Sequence, residues 1–315
     1  MTRAVVFAYH NVGVRCLRVL LDQGVDIALV LTHEDSPTET IWYDSVAQVC
    51  ADQRIPFITP DDANVAEVVA RIRALAPDFL FSFYYRKMLG ADMLSIPTRG
   101  ALNVHGSLLP KYRGRVPVNW AVLHGERETG ASLHYMEIKP DAGNLVAQTA
   151  VPILSDDTAF EVFQKVTVAA ELTLARALPQ LIAGTAPSVP LDLKAGSYYS
   201  GRKPEDGRID WAQPAAAVYN LVRAVAPPYP GAFTDVGSTR FVVAKARVAR
   251  AKARRGATRT CGAADVTHDG ELGFVCGDGQ LLVPLRLIVS GETLDTTASQ
   301  LWLAANESLT QSMKQ

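Results

Sequence analysis

The residues with the clearest chemical capacity are Asn103 and His105, which stand two positions apart at the end of the apolar run Ala101-Leu102-Asn103-Val104-His105. On an extended strand, side chains at that spacing project from one face, so the two polar groups can converge on one reacting atom. An amide can donate to a developing oxyanion, and a neutral imidazole can take a proton. A third group, Asp141, opens the turn Asp141-Ala142-Gly143 and supplies a carboxylate able to hold the imidazole and stabilise its charged form. Asn, His and Asp together are equipment for acyl transfer without a covalent intermediate. Each alone is an ordinary turn or capping residue; what separates them from that reading is that His105 and Asp141 belong to two extended motifs, each closing a strand.

Other chemistries fit less well. The first strand leads into Tyr9-His10-Asn11-Val12-Gly13, where Gly13 alone stands in for the three glycines that let a pyrophosphate approach a dinucleotide-binding turn. His10, at the carboxyl end of that strand, reads either as a pocket-lining residue or as a loop histidine. Ser107 follows Gly106 without the second glycine of a GxSxG nucleophile elbow. His105, His124 and His134 are not at HExxH spacing, and His134 in Ser-Leu-His-Tyr-Met reads as a strand residue rather than a metal ligand. No metal is expected. Cys16, Cys50, Cys261 and Cys276 form no CxxC pair, so neither a zinc site nor a disulfide framework is indicated.

The elements that would carry the trio follow from periodicity. Strands are expected at Arg3 to Ala8, Asp26 to Leu31, Phe79 to Phe83 and Gly100 to His105, alternating with helices at Val14 to Gln23, Ser45 to Gln53 and Val65 to Leu75. This is an α/β pattern: a Rossmann-like, mostly parallel sheet with helices on both faces, which presents sites at the carboxyl ends of its strands. Two further strands, Thr129 to Glu137 and Asn144 to Val151, flank the turn with Pro140 and Asp141, and a long helix from Thr158 to Ile182 is expected to be capped by Asp156 or Asp157. Between Gly184 and Gly207, Gly, Pro, Ser and charged residues dominate, which places a linker at 191–207 between a catalytic domain, 1–190, and a C-terminal domain, 208–315. The latter begins with a helix, Pro214 to Val225, stopped by Pro227-Pro228-Tyr229-Pro230-Gly231. Short strands follow at Phe241 to Ala244, Gly273 to Cys276 and Leu281 to Leu287, with Cys-Gly-Asp-Gly-Gln as a hairpin turn, suggesting a small β-barrel.

At 315 residues and 48% hydrophobic, the chain suits two cored domains. The apolar run Ala4 to Ala8 is too short for a signal peptide and no stretch reads as membrane-spanning, so a cytoplasmic address is expected. Net charge is −1, but Lys245, Arg247, Arg250, Lys252, Arg254, Arg255 and Arg259 form a run without an acid. It reads either as a solvated strand and loop or as the footprint of a phosphate-rich partner.

The string Asn103-Val104-His105-Gly106-Ser107-Leu108-Leu109-Pro110, with Tyr112-Arg113-Gly114, Pro117, Glu128-Thr129-Gly130 and Asp141-Ala142-Gly143, resembles the 10-formyltetrahydrofolate-dependent formyltransferases. Ile209-Asp210-Trp211 and Arg223-Ala224-Val225 extend the likeness into that family's OB-like second domain. Within the family, Val5-Val6-Phe7-Ala8-Tyr9-His10, Phe81-Ser82-Phe83-Tyr84-Tyr85-Arg86 and Lys111 through Trp120 are most similar to the formyltransferase domain of the bifunctional polymyxin-resistance enzymes. Those act on UDP-4-amino-4-deoxy-L-arabinose (UDP-L-Ara4N) in lipid A modification, an antibiotic-resistance pathway, and continue into a decarboxylating dehydrogenase domain that this sequence lacks. A stand-alone version and an excised domain both fit. Methionyl-tRNA formyltransferases carry Ala-Tyr-Gly in place of Tyr84-Tyr85-Arg86 and a basic loop where this chain has the acidic stretch His33 to Glu39, which repels RNA phosphates.

The resemblance implies a division of labour. Asn103 orients the formyl oxygen, His105 assists or shuttles a proton, and Asp141 orients His105 and helps deprotonate the amine. N10-formyltetrahydrofolate, the co-substrate, would lie along Tyr85, Arg86, Lys87 and Met88 and near Lys139. The nucleotide sugar would meet His10, Pro110 and Lys111, with Arg113 and Arg115 on its diphosphate and Asn119 on uracil or ribose. The alternative for the tyrosines is core packing, and for the cations, solvent-facing loop positions. The partners implied are the nucleotide sugar and either further copies of the chain or a separate dehydrogenase, with no membrane or nucleic acid. Two other functions compete: methionyl-tRNA formylation, favoured by the basic run, and a non-catalytic folate-sensing or RNA-binding module, which an intact Asn103, His105 and Asp141 disfavour.

Overall fold

The computed structural model describes residues 1–37, 40–236, 239–252 and 260–305. In chain order it runs β1 (Arg3–Ala8), α1 (His10–Asp22), β2 (Asp26–Leu31), α2 (Val46–Gln53), β3 (Phe57–Ile58), α3 (Ala66–Ala74), β4 (Phe79–Phe83), α4 (Ala91–Leu94) and β5 (Gly100–His105). There follow β6 (Arg113–Gly114), α5 (Pro117–Leu123), β7 (Glu128–Tyr135), β8 (Leu145–Pro152), α6 (Ala159–Ala183) and β9 (Tyr198–Tyr199). The remainder is a 3-10 turn (Pro204–Gly207), α7 (Ala215–Val225), β10 (Ala232–Val236), β11 (Thr239–Ala249), β12 (Ala264–Val266), β13 (Leu272–Val275), β14 (Leu281–Val289), β15 (Glu292–Leu294) and α8 (Thr296–Ala305).

The chain forms two compact units, one of Met1–Val118, Glu128–Pro152 and Phe163–Gly201, the other of Asn119–Arg127, Ile153–Val162 and the chain from Arg202 onward. In the first, seven strands lie in the order β3-β2-β1-β4-β5-β7-β8. The strands from β3 to β5 are parallel, whereas β7 runs antiparallel to β5 and β8 antiparallel to β7. The fold is thus the mixed α/β sheet expected, with an antiparallel edge. Val5, Phe7, Leu29, Leu31, Leu80 and Ala101 pack on Val69, Ile72 and Met93. Every residue of β4 is buried, as a central parallel strand covered on both faces requires.

The second unit holds an antiparallel sheet of order β10-β11-β14-β13-β12, with β15 also on β14. A bridge between Ala251 and Thr267 returns the end of β11 toward β12, and register shifts around Lys245 bend β11, so the sheet curls. The Cys276-to-Gln280 hairpin closes through Cys276 N–H to the Gln280 carbonyl at 2.9 Å.

Four expectations are corrected. Helix α1 begins at His10 rather than Val14, because Gly13 continues it: its N–H donates to the Tyr9 carbonyl at 3.1 Å. Strand β11 runs through Lys245 and Arg247 instead of ending at Ala244, since bulges accommodate the charged residues. Helix α6 is long and apolar enough, by length and composition, to cross a membrane, but half of its most apolar window is buried inside the protein. Neither Asp156 nor Asp157 caps it: Asp157 accepts the Leu154 N–H (2.6 Å) and Asp156 the Tyr219 hydroxyl (2.8 Å). The cap is Thr158, whose N–H donates to Glu161 Oε2 at 2.6 Å while its Oγ1 accepts the Glu161 N–H at 3.4 Å, a reciprocal capping box. Thr158→Ala should therefore cost about 1 kcal/mol of unfolding free energy, read by denaturant titration.

Candidate active site

The antiparallel pairing of β5 with β7 sets Asn103 opposite His134 and His105 opposite Ser132. Directly opposed residues share a face of the sheet, so four polar side chains form one patch. The His105 imidazole is buried, with Nε2 2.7 Å from the Tyr112 carbonyl oxygen. A carbonyl only accepts, which places a proton on Nε2 and turns Nδ1 toward Asp141, whose Oδ1 is 3.5 Å away. The same carboxylate oxygen lies 3.6 Å from His134 Nε2, and Oδ2 accepts the Gly114 N–H at 2.8 Å.

His134 also sets the Asn103 amide. Its Nδ1 is 2.8 Å from the Tyr135 carbonyl and so carries a proton, leaving Nε2 as the acceptor for Asn103 Nδ2 at 3.1 Å. An amide nitrogen has two N–H bonds; His134 takes one, fixes the amide plane and leaves the other for a ligand. Reading His134 as a generic strand residue missed this. The available signal was the pair of polar residues, Ser132 and His134, at strand spacing and alternating with Ala131 and Leu133.

The 106–112 loop is tied down from beneath. Ser132 Oγ donates to the Ser107 carbonyl at 2.6 Å and accepts the Leu109 N–H at 3.0 Å. Gln148 Nε2 donates to both Ser132 Oγ and the Leu109 carbonyl at 2.8 Å. Ser107 Oγ donates to the Lys111 carbonyl at 2.6 Å, so this serine organises the loop that aims the Tyr112 carbonyl at His105. Two glycines of the motifs are needed for close approach: a Cβ at Gly106 would overlap the Tyr84 hydroxyl, and one at Gly143 would overlap the Tyr135 carbonyl. Between them Asp141 takes a left-handed conformation, φ 50°.

Burial alone would raise the Asp141 pKa, but the opposing effects of His105, first, and of the Gly114 N–H outweigh it and hold the carboxyl well below the ordinary range. Asp141 is therefore a carboxylate at neutral pH.

The remaining candidates are placed unevenly. Tyr85, just after β4, stacks on His33 with centroids 4.2 Å apart, and its hydroxyl, buried and without a hydrogen-bond partner among the described residues, is pushed up to about 12 by desolvation. The Arg86 guanidinium lies over the Tyr9 ring at 4.6 Å. Lys87, Met88 and Lys139 are exposed. His10 is no simple loop histidine: its ring is enclosed by Tyr43 (3.8 Å), Trp42 (4.6 Å) and Phe163 (4.7 Å). Pro110 is half-buried, and Lys111 and Arg115 are exposed. Arg113 is buried rather than solvent-facing, with Nη2 3.5 Å from the Leu193 carbonyl. Asn119 falls in the second unit, where its Nδ2 donates to the Ala224 carbonyl at 2.7 Å, so that N–H is not available to a uracil or ribose.

An amide donor, an imidazole and a carboxylate held on one sheet edge suit transfer of a small acyl group. Residues 10–178 match the formyl transferase family and residues 202–298 the formyl transferase C-terminal domain, and the chain belongs to the formyl transferase family. Among solved structures it is similar to the N-formyltransferase from Helicobacter canadensis in complex with folinic acid and dTDP-3-aminofucose, at 18% identity and TM-score 0.65, covering 90% of this chain and 98% of that one. WlaRD, a sugar 3N-formyl transferase determined with dTDP and 5-N-formyl-THF, gives the same identity and TM-score over 90% of this chain and 96% of the other. A 4-N formyltransferase from Francisella tularensis is 18% identical at TM-score 0.59, covering 72% of this chain and 90% of that one. At such identities the likeness is one of fold.

Two outcomes are expected. Gly106→Ala should displace Tyr84 and lower turnover at least about tenfold, a loss of ~1.4 kcal/mol, while circular dichroism stays native. For Asp141, a folded pKa below the unfolded value means stability present above the ordinary carboxylate range and lost as pH falls through the folded value. The unfolding free energy of the wild type relative to Asp141→Asn should therefore shrink as pH drops below about 4, measured by urea titration at successive pH values.

Proposed function

We propose that this chain transfers the formyl group of N10-formyltetrahydrofolate to the 4-amino group of UDP-4-amino-4-deoxy-L-arabinose, the step that serves lipid A modification and polymyxin resistance. The observation that carries the reading is the joint fixing of Asn103, His105 and Asp141. Support for an amino-sugar acceptor comes from neighbours of the same fold described as sugar N-formyltransferases. The catalytic work lies in residues 1–190, with 191–207 leading to the OB-like portion, 208–315.

The residues fit the co-substrate. The segment after β4 offers a buried tyrosine hydroxyl without a partner among the described residues, and Asn103 keeps an amide N–H for the formyl oxygen. In the reaction, the unprotonated amine forms a C–N bond to the formyl carbon as the C=O electron pair moves onto oxygen. Asn103 Nδ2 donates to that oxygen as charge builds. The proton lost by the attacking nitrogen passes by way of Asp141 and His105 Nδ1 toward N10, which departs with the electrons of the broken N10–formyl bond, giving tetrahydrofolate. Because Asp141 is held low, it accepts a proton only in passing; its standing task is to stabilise the His105 ring when Nδ1 takes that proton. Lys111 and Arg115, both exposed, would meet the diphosphate.

The basic run, together with the chain length, supports the competing acceptor, charged initiator tRNA. Lys245 and Arg250 are exposed and Arg247 pairs with Glu271, while Arg254, Arg255 and Arg259 lie outside the described residues. A tetrahydrofolate-release assay offering the UDP-amino sugar and the tRNA in parallel decides: formylation of the sugar is expected, and formylation of tRNA alone would overturn the acceptor assignment. His105→Ala and Asp141→Ala should each abolish release while folate binding stays within about threefold, under ~0.7 kcal/mol.

A further inference from the structure

Two side chains outside the recognised motifs grip the 84–90 segment at its two ends. At its start, His33, from the connection after β2, stacks its ring on Tyr85 at an interplanar angle of 19° and accepts the Arg86 N–H on Nε2 at 3.1 Å. At its end, Asn64, from the connection after β3, accepts the Gly90 N–H on Oδ1 at 2.6 Å and donates from Nδ2 to the Met88 carbonyl at 3.0 Å. Asn64 is itself braced, because Asp62 Oδ1 accepts both its main-chain N–H and its Nδ2 at 2.9 Å. The segment opens on a left-handed Tyr84, φ 58°, and carries the exposed Lys87 between the two grips. A connection of this kind, left to itself, samples many conformers, and a ligand that selects one loses affinity to the ordering.

We propose that His33 and Asn64 are positioning residues for the folate co-substrate, holding residues 84–90 as a pre-formed shelf on which N10-formyltetrahydrofolate docks. The inference rests on the functional reading above, which sets folate along this segment. The His33 grip requires a neutral imidazole. Burial, and then the nearby Lys87 and Arg86 charges, lower its pKa to about 4, so Nε2 remains an acceptor at neutral pH. Tyr9 meets the His33 ring edge-on at 5.2 Å, and its hydroxyl donates to Asp35 at 2.5 Å, which steadies the same connection.

The test uses the full chain and 5-formyltetrahydrofolate as the probe. His33→Ala and Asn64→Ala should each raise its calorimetric Kd about tenfold, equivalent to ~1.4 kcal/mol, the scale of one or two lost hydrogen bonds. Amide hydrogen exchange at Arg86 and Gly90 should quicken in the ligand-free protein. The KM for folate should rise with Kd, while kcat at saturating folate stays within about twofold. His33→Gln, which retains an acceptor, should recover part of the loss; it also carries the comparison if His33→Ala does not fold. Asn64→Asp, which keeps an acceptor for Gly90 but loses the donor to Met88, should fall between wild type and Asn64→Ala. Variants that match the wild type in Kd and in exchange would overturn the inference and leave the functional reading standing. A wild-type protein that does not bind the probe would overturn both.

Discussion

The site depends on one largely enclosed carboxylate, Asp141. Asp141 faces His105 and His134 through one oxygen and takes the Gly114 N–H on the other. A carboxylate taken out of water is costly unless such partners surround it. Here the groups around it arrive from separate stretches of chain: His105 at the end of β5 and the Gly114 N–H of β6, with His134 near the end of β7 beside them. Folding that misplaces one of them leaves a charge uncompensated, so the same attachments that prepare the chemistry also specify how the stretches meet. The left-handed conformation of Asp141 and the glycine two positions on are what this convergence demands of the backbone.

The sheet supplies the convergence by changing direction. Parallel strands bring their carboxyl ends to one edge, where a polar residue can face a ligand. Reversing β7 against β5 lays the middle of a second strand beside that edge, which gives Asn103 a fixed imidazole neighbour, something a wholly parallel arrangement would have to find in a loop. The Ser132 and Gln148 hydrogen bonds then fasten the 106–112 loop to these strands. Two of the trio, Asn103 and His105, therefore rest on a strand and Asp141 on the turn after β7, while the loop contributes one carbonyl, that of Tyr112, and β6 one N–H, that of Gly114.

Much of this was legible in the residues, for definable reasons. Apolar runs of strand length fixed β1, β2, β4 and β5, and Asn103 and His105 announced themselves as polar residues ending such a run. Asp141 was readable because its Asp-Ala-Gly turn belongs to a second extended motif closing a strand, apart from that of His105. His134 was not, because the Ser132 and His134 spacing marks a shared polar face but not the partner it meets, which is settled only by strand pairing. The same limit hid His33 and Asn64, whose partners lie 53 and 24 to 26 residues away. The cap of α6 was misassigned because two aspartates precede a threonine that makes the reciprocal bond with Glu161, and composition cannot rank adjacent capping residues. Two-residue strands such as β3 and β6 have no periodicity to detect.

The grip of His134 on Asn103 has a stereochemical consequence. An amide free to rotate would present nitrogen or oxygen to a ligand with similar ease. Here rotation would turn Asn103 Oδ1 toward an imidazole nitrogen that has no proton to give, so one orientation prevails. A planar acyl group whose oxygen is held by a donor of fixed direction shows one of its two faces to the wall bearing His105 and Asp141. A nucleophile approaching from that wall would then meet one face of the acyl group, selected by geometry rather than by bulk.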